Sequence, residues 1–130
     1  MEAIIVDDDE MTVFLNEIFV KENDFHQTPH SFNHGKSFLD YLLANYNPEE
    51  KYCVFLDINM PVMDGWEFLD AIKEESMSKN IYVVILTSSV NEIDREKARG
   101  YTQVIDFLEK PLNDVKLNLL KKNEQISSFF

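Results

Sequence analysis

Residues 81–86, IYVVIL, place apolar side chains on both sides of any strand they form, and Val54, Phe55 and Leu56 do the same. A strand that is apolar on both faces must be covered on both faces, the condition of a parallel sheet between two layers of helix. The rest of the chain alternates to match. A short apolar run at 3–6 (AIIV) precedes residues 10–22, where Met11, Phe14, Leu15, Ile18 and Phe19 fall at helical spacing. A weaker strand is expected over Phe25–Thr28, before Pro29. Helical patterns recur at 36–46 through Phe38, Tyr41 and Leu42, closed by Asn47-Pro48, and at 65–75 through Trp66, Leu69 and Ile72. Between them lies a strand at Tyr52–Leu56. A charged helix at 91–99 ends at Gly100, a fifth strand covers VIDFL (104–108), and a last helix spans 113–123 with Leu112, Val115, Leu119 and Leu120. Five strands, each followed by a helix, define one α/β domain.

Composition narrows the function classes. The chain has 130 residues, 45% hydrophobic, enough for one real core. It carries 24 acidic against 12 basic residues, a formal charge of −12, which repels phosphate backbones and anionic lipids. No direct nucleic-acid binding is expected. MEAIIVDDDE lacks the basic region of a signal peptide, and no apolar stretch is long enough to cross a membrane. The one cysteine, Cys53, sits in a strand-like run without a partner. A cytoplasmic location is the expectation. After the last helix only NEQISSFF remains, too short for a DNA-binding or catalytic output domain.

The chemistry lies at the strand ends. In a doubly wound sheet, ligands bind beyond the carboxyl ends of the strands, where strand order reverses. Asp7 and Asp8 terminate strand one, Asp57 strand three and Thr87 strand four, and Lys110 follows strand five. If strands one and three are neighbours, three carboxylates, a hydroxyl and an ammonium converge on one edge. Clustered carboxylates repel, and a hard divalent cation relieves the repulsion; magnesium suits an open set of oxygen donors that leaves room for a phosphate. A carboxylate beside it can attack a phosphoryl group. Lys110 could neutralise charge on that group and Thr87 could hydrogen-bond its oxygen.

Four motifs in order, VDDDE, LDINMPVMDG, ILTSS and FLEKPL, resemble those of the receiver domain of two-component response regulators, including the bacterial chemotaxis regulator. The resemblance covers essentially the whole chain: a receiver over 1–124 and a short tail over 125–130. It implies a flavodoxin-like, five-stranded parallel sheet of strand order 2-1-3-4-5. It implies that Asp57 is the phosphoacceptor, and that Asp7, Asp8, Asp57 and the main-chain carbonyl of Asn59 bind Mg2+. Thr87 and Lys110 would contact the phosphoryl group, and Phe107 is similar to the aromatic switch residue, often Tyr in the family. Core packing and a moving switch are both open for Phe107. The implied donor is a histidine kinase or histidine phosphotransfer protein, and the expected output is altered binding of a further protein at the face of helix four, strand five and helix five, where helix four has few apolar anchors beyond Ile93 and Ala98. The resemblance raises the expectation of a cis Lys110–Pro111 bond well above the usual rate.

Other residues read more plainly. Asp9 fits a helix N-cap better than a ligand. His26, His30 and His34 are spaced by four, but Pro29 prevents the helix that would make them a metal site. Trp66 and Tyr101 are packing or surface aromatics, and DDDEMTVFLNEI lacks the glycine and glutamate of a calcium loop. Two rivals stand beside the signalling receiver: a receiver-like scaffold that never accepts phosphate, and a small-phosphoester hydrolase with an aspartyl nucleophile.

Overall fold

The computed structural model describes residues 1–77 and 79–130. Strand β1 (Glu2–Val6) leads to α1 (Glu10–Glu22), β2 (His30–Phe32) to α2 (Gly35–Asn45), β3 (Tyr52–Asp57) to α3 (Gly65–Glu74), β4 (Ile81–Thr87) to α4 (Glu92–Ala98) and β5 (Val104–Glu109) to α5 (Asp114–Leu120). A short 3₁₀ turn, Ser127–Phe129, follows. All pairings are parallel, in the order β2-β1-β3-β4-β5, so the sheet is the flavodoxin-like one expected.

Alternation along β3 shows how the layers are held. Tyr52, Val54 and Leu56 enter one core with α2 and α3, joined by Ala98 of α4; Cys53 and Phe55 enter the other with Val13 and Val20 of α1 and Leu117 and Leu120 of α5. Every residue of β3 is buried. Hence the central strands need apolar side chains on both faces. The β4–β5 ladder carries one irregularity: Val83 faces Val104 while Val84 faces Asp106, so Ile105 has no opposite number.

Two expectations need correction. The second strand lies at His30–Phe32, after Pro29, and not at Phe25–Thr28. Phe25 is buried in a turn, its backbone N–H donating to Val20 and its ring edge-on to Phe55 at 5.5 Å. An apolar residue there marks core packing, not strand. In α1 the apolar spacing correctly marks a helix, yet Val13, Asn16 and Val20 face inward while Met11, Phe14 and Leu15 are exposed. The last helix is shorter than its pattern, ending at Leu120, and Val115 and Leu119 lie on its outer side. Gly100 follows α4 as expected, but with an ordinary negative φ, since none of the glycines adopts a positive one.

Candidate functional site

The site forms where strand order reverses, between β1 and β3. Val6 pairs with Leu56, so the next residues, Asp7 and Asp57, emerge side by side from neighbouring strands. Asp8 follows and is exposed, whereas Asp7 and Asp57 are 2% and 4% exposed. Carboxylate oxygens of all three lie within 4.8 Å of one another. The expected convergence is therefore present.

Local hydrogen bonds set each group. Asp7 Oδ1 accepts from the Asp9 N–H at 2.9 Å. Asp9 turns away, accepting from Met11 N–H and Thr12 Oγ1 as the N-cap of α1. Asp57 Oδ1 accepts from the Asn59 N–H at 3.2 Å, which brings the Asn59 backbone to the site. Lys110 follows β5 with a cis bond to Pro111, as expected. Its Nζ lies 2.7 Å from Asp7 Oδ2 and 3.4 Å from Asp57 Oδ2. Burial pulls the Lys110 pKa down, but the bond to Asp7 and the charge of Asp57 outweigh it and leave it raised. Burial and the neighbouring Asp7 push the Asp57 carboxyl up to about 6, against the opposing pull of Lys110.

Thr87 ends β4, one residue beyond Leu86, the partner of Asp57, and is fully buried. Its hydroxyl donates to the Ser89 carbonyl and accepts from the Ser89 N–H, both at 3.3 Å. Phe107 is 8% exposed and packs in the α2/α3 core, with the Arg95 guanidinium 5.2 Å above its ring. Thus Asp7, Asp8, Asp57 and Lys110 are drawn together, Thr87 stands at the adjoining strand end, and Phe107 lies further along β5 under α4.

Three features escaped the sequence reading. A Cβ on Gly65 would lie 2.7 Å from Ile58 Cα and 2.9 Å from the Asp57 carbonyl oxygen, so only glycine lets α3 start this close to the acid-bearing loop. Val62 has φ 69° at the apex of a turn closed by Met63 N–H to Pro61 O, and is 87% exposed. A β-branched residue in that conformation is strained. The third is the apolar outer side of α1, which starts directly after Asp9. The DG pair of LDINMPVMDG hinted at the first; nothing in the sequence marks the other two.

The donor set fits a hard divalent cation: oxygens only, from three acids, with one member solvent-facing and so open to waters or a phosphate.

The profile of the response regulator receiver domain matches residues 3–121. The chain belongs to the response regulator receiver domain family, signalling domains of two-component systems rather than catalytic enzymes, which in general act with a histidine kinase. Over 81 residues it is 36% identical to the probable methanogenesis regulatory protein FilR2 of Methanothrix harundinacea, a match covering 61% of this chain and 52% of that protein. Over 96 residues it is 28% identical to the chemotaxis protein CheV2 of Helicobacter pylori, covering 74% of this chain and 28% of that protein. The matches thus span about half of the first relative and just over a quarter of the second. A two component response regulator from Cytophaga hutchinsonii is similar in structure, with a TM-score of 0.86 at 27% identity over 98% of this chain and 96% of that one. No described helix is long and apolar enough to cross a membrane.

Proposed function

We propose that this chain accepts a phosphoryl group on Asp57 from a phosphohistidine protein and changes its protein-binding face in response. The observation that carries this reading is the cluster itself: Asp57 within 4.8 Å of Asp7 and Asp8, with Lys110 bridging Asp7 and Asp57. An Asp57 oxygen attacks phosphorus, the phosphorus–nitrogen bond of the donor breaks, and its electron pair returns to the imidazole. Lys110 faces the transferred group with its ammonium. The Thr87 hydroxyl, held only by two long bonds to Ser89, is free to rotate toward a phosphoryl oxygen. Asp7, Asp8, Asp57 and the Asn59 carbonyl would hold Mg2+, which when bound supplies positive charge against the phosphoryl oxygens.

The donor would be a histidine kinase or histidine phosphotransfer protein. α1 begins two residues after Asp8 and α5 four residues after Lys110, and together they expose Met11, Phe14, Leu15, Val115 and Leu119. So much exposed apolar surface beside the site suits a protein that must bring its histidine to Asp57. The output surface is α4, β5 and α5, where Ile93 is 82% exposed and Arg95 covers Phe107. These roles place the protein in the cytoplasm, with an unidentified protein as its target.

Acetyl phosphate with Mg2+ tests the reading directly. Intact mass should rise by one phosphate in wild type and not in Asp57→Asn. Full labelling of the variant refutes the assignment, and rapid turnover without accumulation would favour hydrolysis over signalling.

A further inference from the structure

Helix α4 is fastened unequally at its two ends. Its first turn is largely free: the side chains of Glu92 and Ile93 are 84% and 82% exposed. Arg95 crosses from this turn to the Phe107 ring of β5. The other end is tied to α3 by four separate contacts. Lys97 Nζ lies 4.8 Å over the Trp66 ring, and that ring stacks on Tyr101 at 5.8 Å and 28°. The Tyr101 hydroxyl donates to Asp70 at 2.9 Å. Gln103, 3% exposed, donates through Nε2 to the Leu69 carbonyl at 3.2 Å, while its backbone carbonyl accepts from Val83 N–H. Between these anchors the chain is drawn into tight turns: Arg99, Gly100 and Tyr101 each donate to the carbonyl three residues back.

The loop leading into α4 begins at Thr87, whose hydroxyl holds Ser89. Any pull exerted at the phosphoryl site is therefore applied to the loose end. The far end is restrained by a cation–π contact, an aromatic stack and two hydrogen bonds acting on different atoms.

We propose that α4 works as a lever anchored through Tyr101: its N-terminal part, 91–96, swings when the site is phosphorylated, while 97–103 stays fastened to α3. This rests on the proposed phosphoacceptor reading. The Tyr101–Asp70 bond, the Trp66 stack and the Gln103–Leu69 bond set the pivot, and the Arg95–Phe107 contact is the one that yields.

Hydrogen exchange by mass spectrometry on the full chain tests it in two arms. Without any phosphodonor, Tyr101→Phe should speed exchange of amides 99–104 by about fivefold and leave 92–95 within about twofold of wild type. Asp70→Ala should do the same, and the double variant no more than either alone. If neither single variant changes exchange at 99–104, the hinge is wrong. With acetyl phosphate and Mg2+, and labelling confirmed by intact mass, wild type should change at 88–96 by about fivefold or more and at 99–104 by less than about twofold. A uniform change over 92–104, or labelling without change at 88–96, overturns the lever. Failure to label refutes the phosphoacceptor reading instead, and the first arm then decides the hinge alone.

Discussion

Lys110 is bonded to Asp7, at 2.7 Å. It stands farther from Asp57, at 3.4 Å, so its main electrostatic partner is the neighbouring acid. Removing the ammonium leaves two buried carboxylates facing each other. Lys110→Ala should cost about 2 kcal/mol at pH 8 without divalent metal, less than a fully buried pair because the Lys110 side chain retains 18% exposure. The deficit should shrink by pH 5, where Asp57 is largely protonated. Urea titrations at the two pH values check this; an equal deficit at both would show that the lysine does not act through Asp57.

Asp57 itself should make the metal-free fold pH-dependent. Its folded pKa, about 6, lies above the ordinary 3.8, so the folded state binds the proton more tightly than the unfolded one. The penalty is absent below about pH 4, grows between about 4 and 6, and is complete above that. Asp57→Asn should therefore exceed wild type in stability at pH 7 in EDTA by about 1–3 kcal/mol, with the advantage gone near pH 4. For a dissociation constant of about 1 mM, 10 mM Mg2+ should stabilise wild type by roughly 1.4 kcal/mol and the variant by less. Should the variant be the weaker protein in EDTA, the three acids do not share a site.

Gly65→Ala offers a steric test. Alanine favours a helix, but its methyl carbon would meet Ile58 Cα at 2.7 Å and the Asp57 carbonyl at 2.9 Å. Both are backbone atoms and cannot swing aside. The substitution should cost about 2–3 kcal/mol in thermal or urea unfolding and slow acetyl phosphate labelling by shifting Asp57. Gly100→Ala is the control, since its nearest neighbour is the Lys97 carbonyl at 3.4 Å and its φ is negative. It should be neutral or stabilising by up to about 1 kcal/mol.

Phe14 is 58% exposed on the outer side of α1, and on the proposed reading its replacement should separate protein donors from small ones. Phe14→Asp should slow phosphotransfer from a histidine phosphotransfer protein by about tenfold, equivalent to 1.4 kcal/mol, and leave acetyl phosphate labelling within about twofold. Stopped-flow or gel-based transfer kinetics distinguish the two. Equal slowing with both donors would place the effect inside the site and not at a docking surface.

The site was legible because its residues lie where two periodicities change over. Asp7, Asp57 and Thr87 each close a run of buried apolar residues, and β-sheet topology then brings those ends together. The second strand was not legible in the same way. It is a three-residue edge strand of sequence His-Ser-Phe, pairing with β1 on one side, and so short a segment shows no period. The nearby Phe25 gave a stronger apolar signal for a different reason, core packing in a turn. In α1 the pattern marked a helix, but both sides carry apolar residues and buried Asn16 lies on the inner one, its Nδ2 without a hydrogen-bond partner. Helical spacing reports the element, not which side the core will take. Around α4, Glu92 and Glu96, and Arg95 and Arg99, are like-charged neighbours four apart, offset by the pairs Arg95–Glu92 at 3.8 Å and Arg99–Glu96.

The unpaired Ile105 decides which face of the sheet Phe107 takes. Side chains of a regular strand alternate, so Phe107 would share the side taken by Ile105, the α1/α5 layer. One additional residue resets the parity: Ile105 and Leu108 point into that layer, and Phe107 into the opposite one, beneath α4. The exposed apolar side of α1 and the aromatic beneath α4 thereby belong to opposite faces of one sheet. On the proposed reading, a donor seated on α1 and a partner seated on α4 meet at α5, the element their two surfaces share.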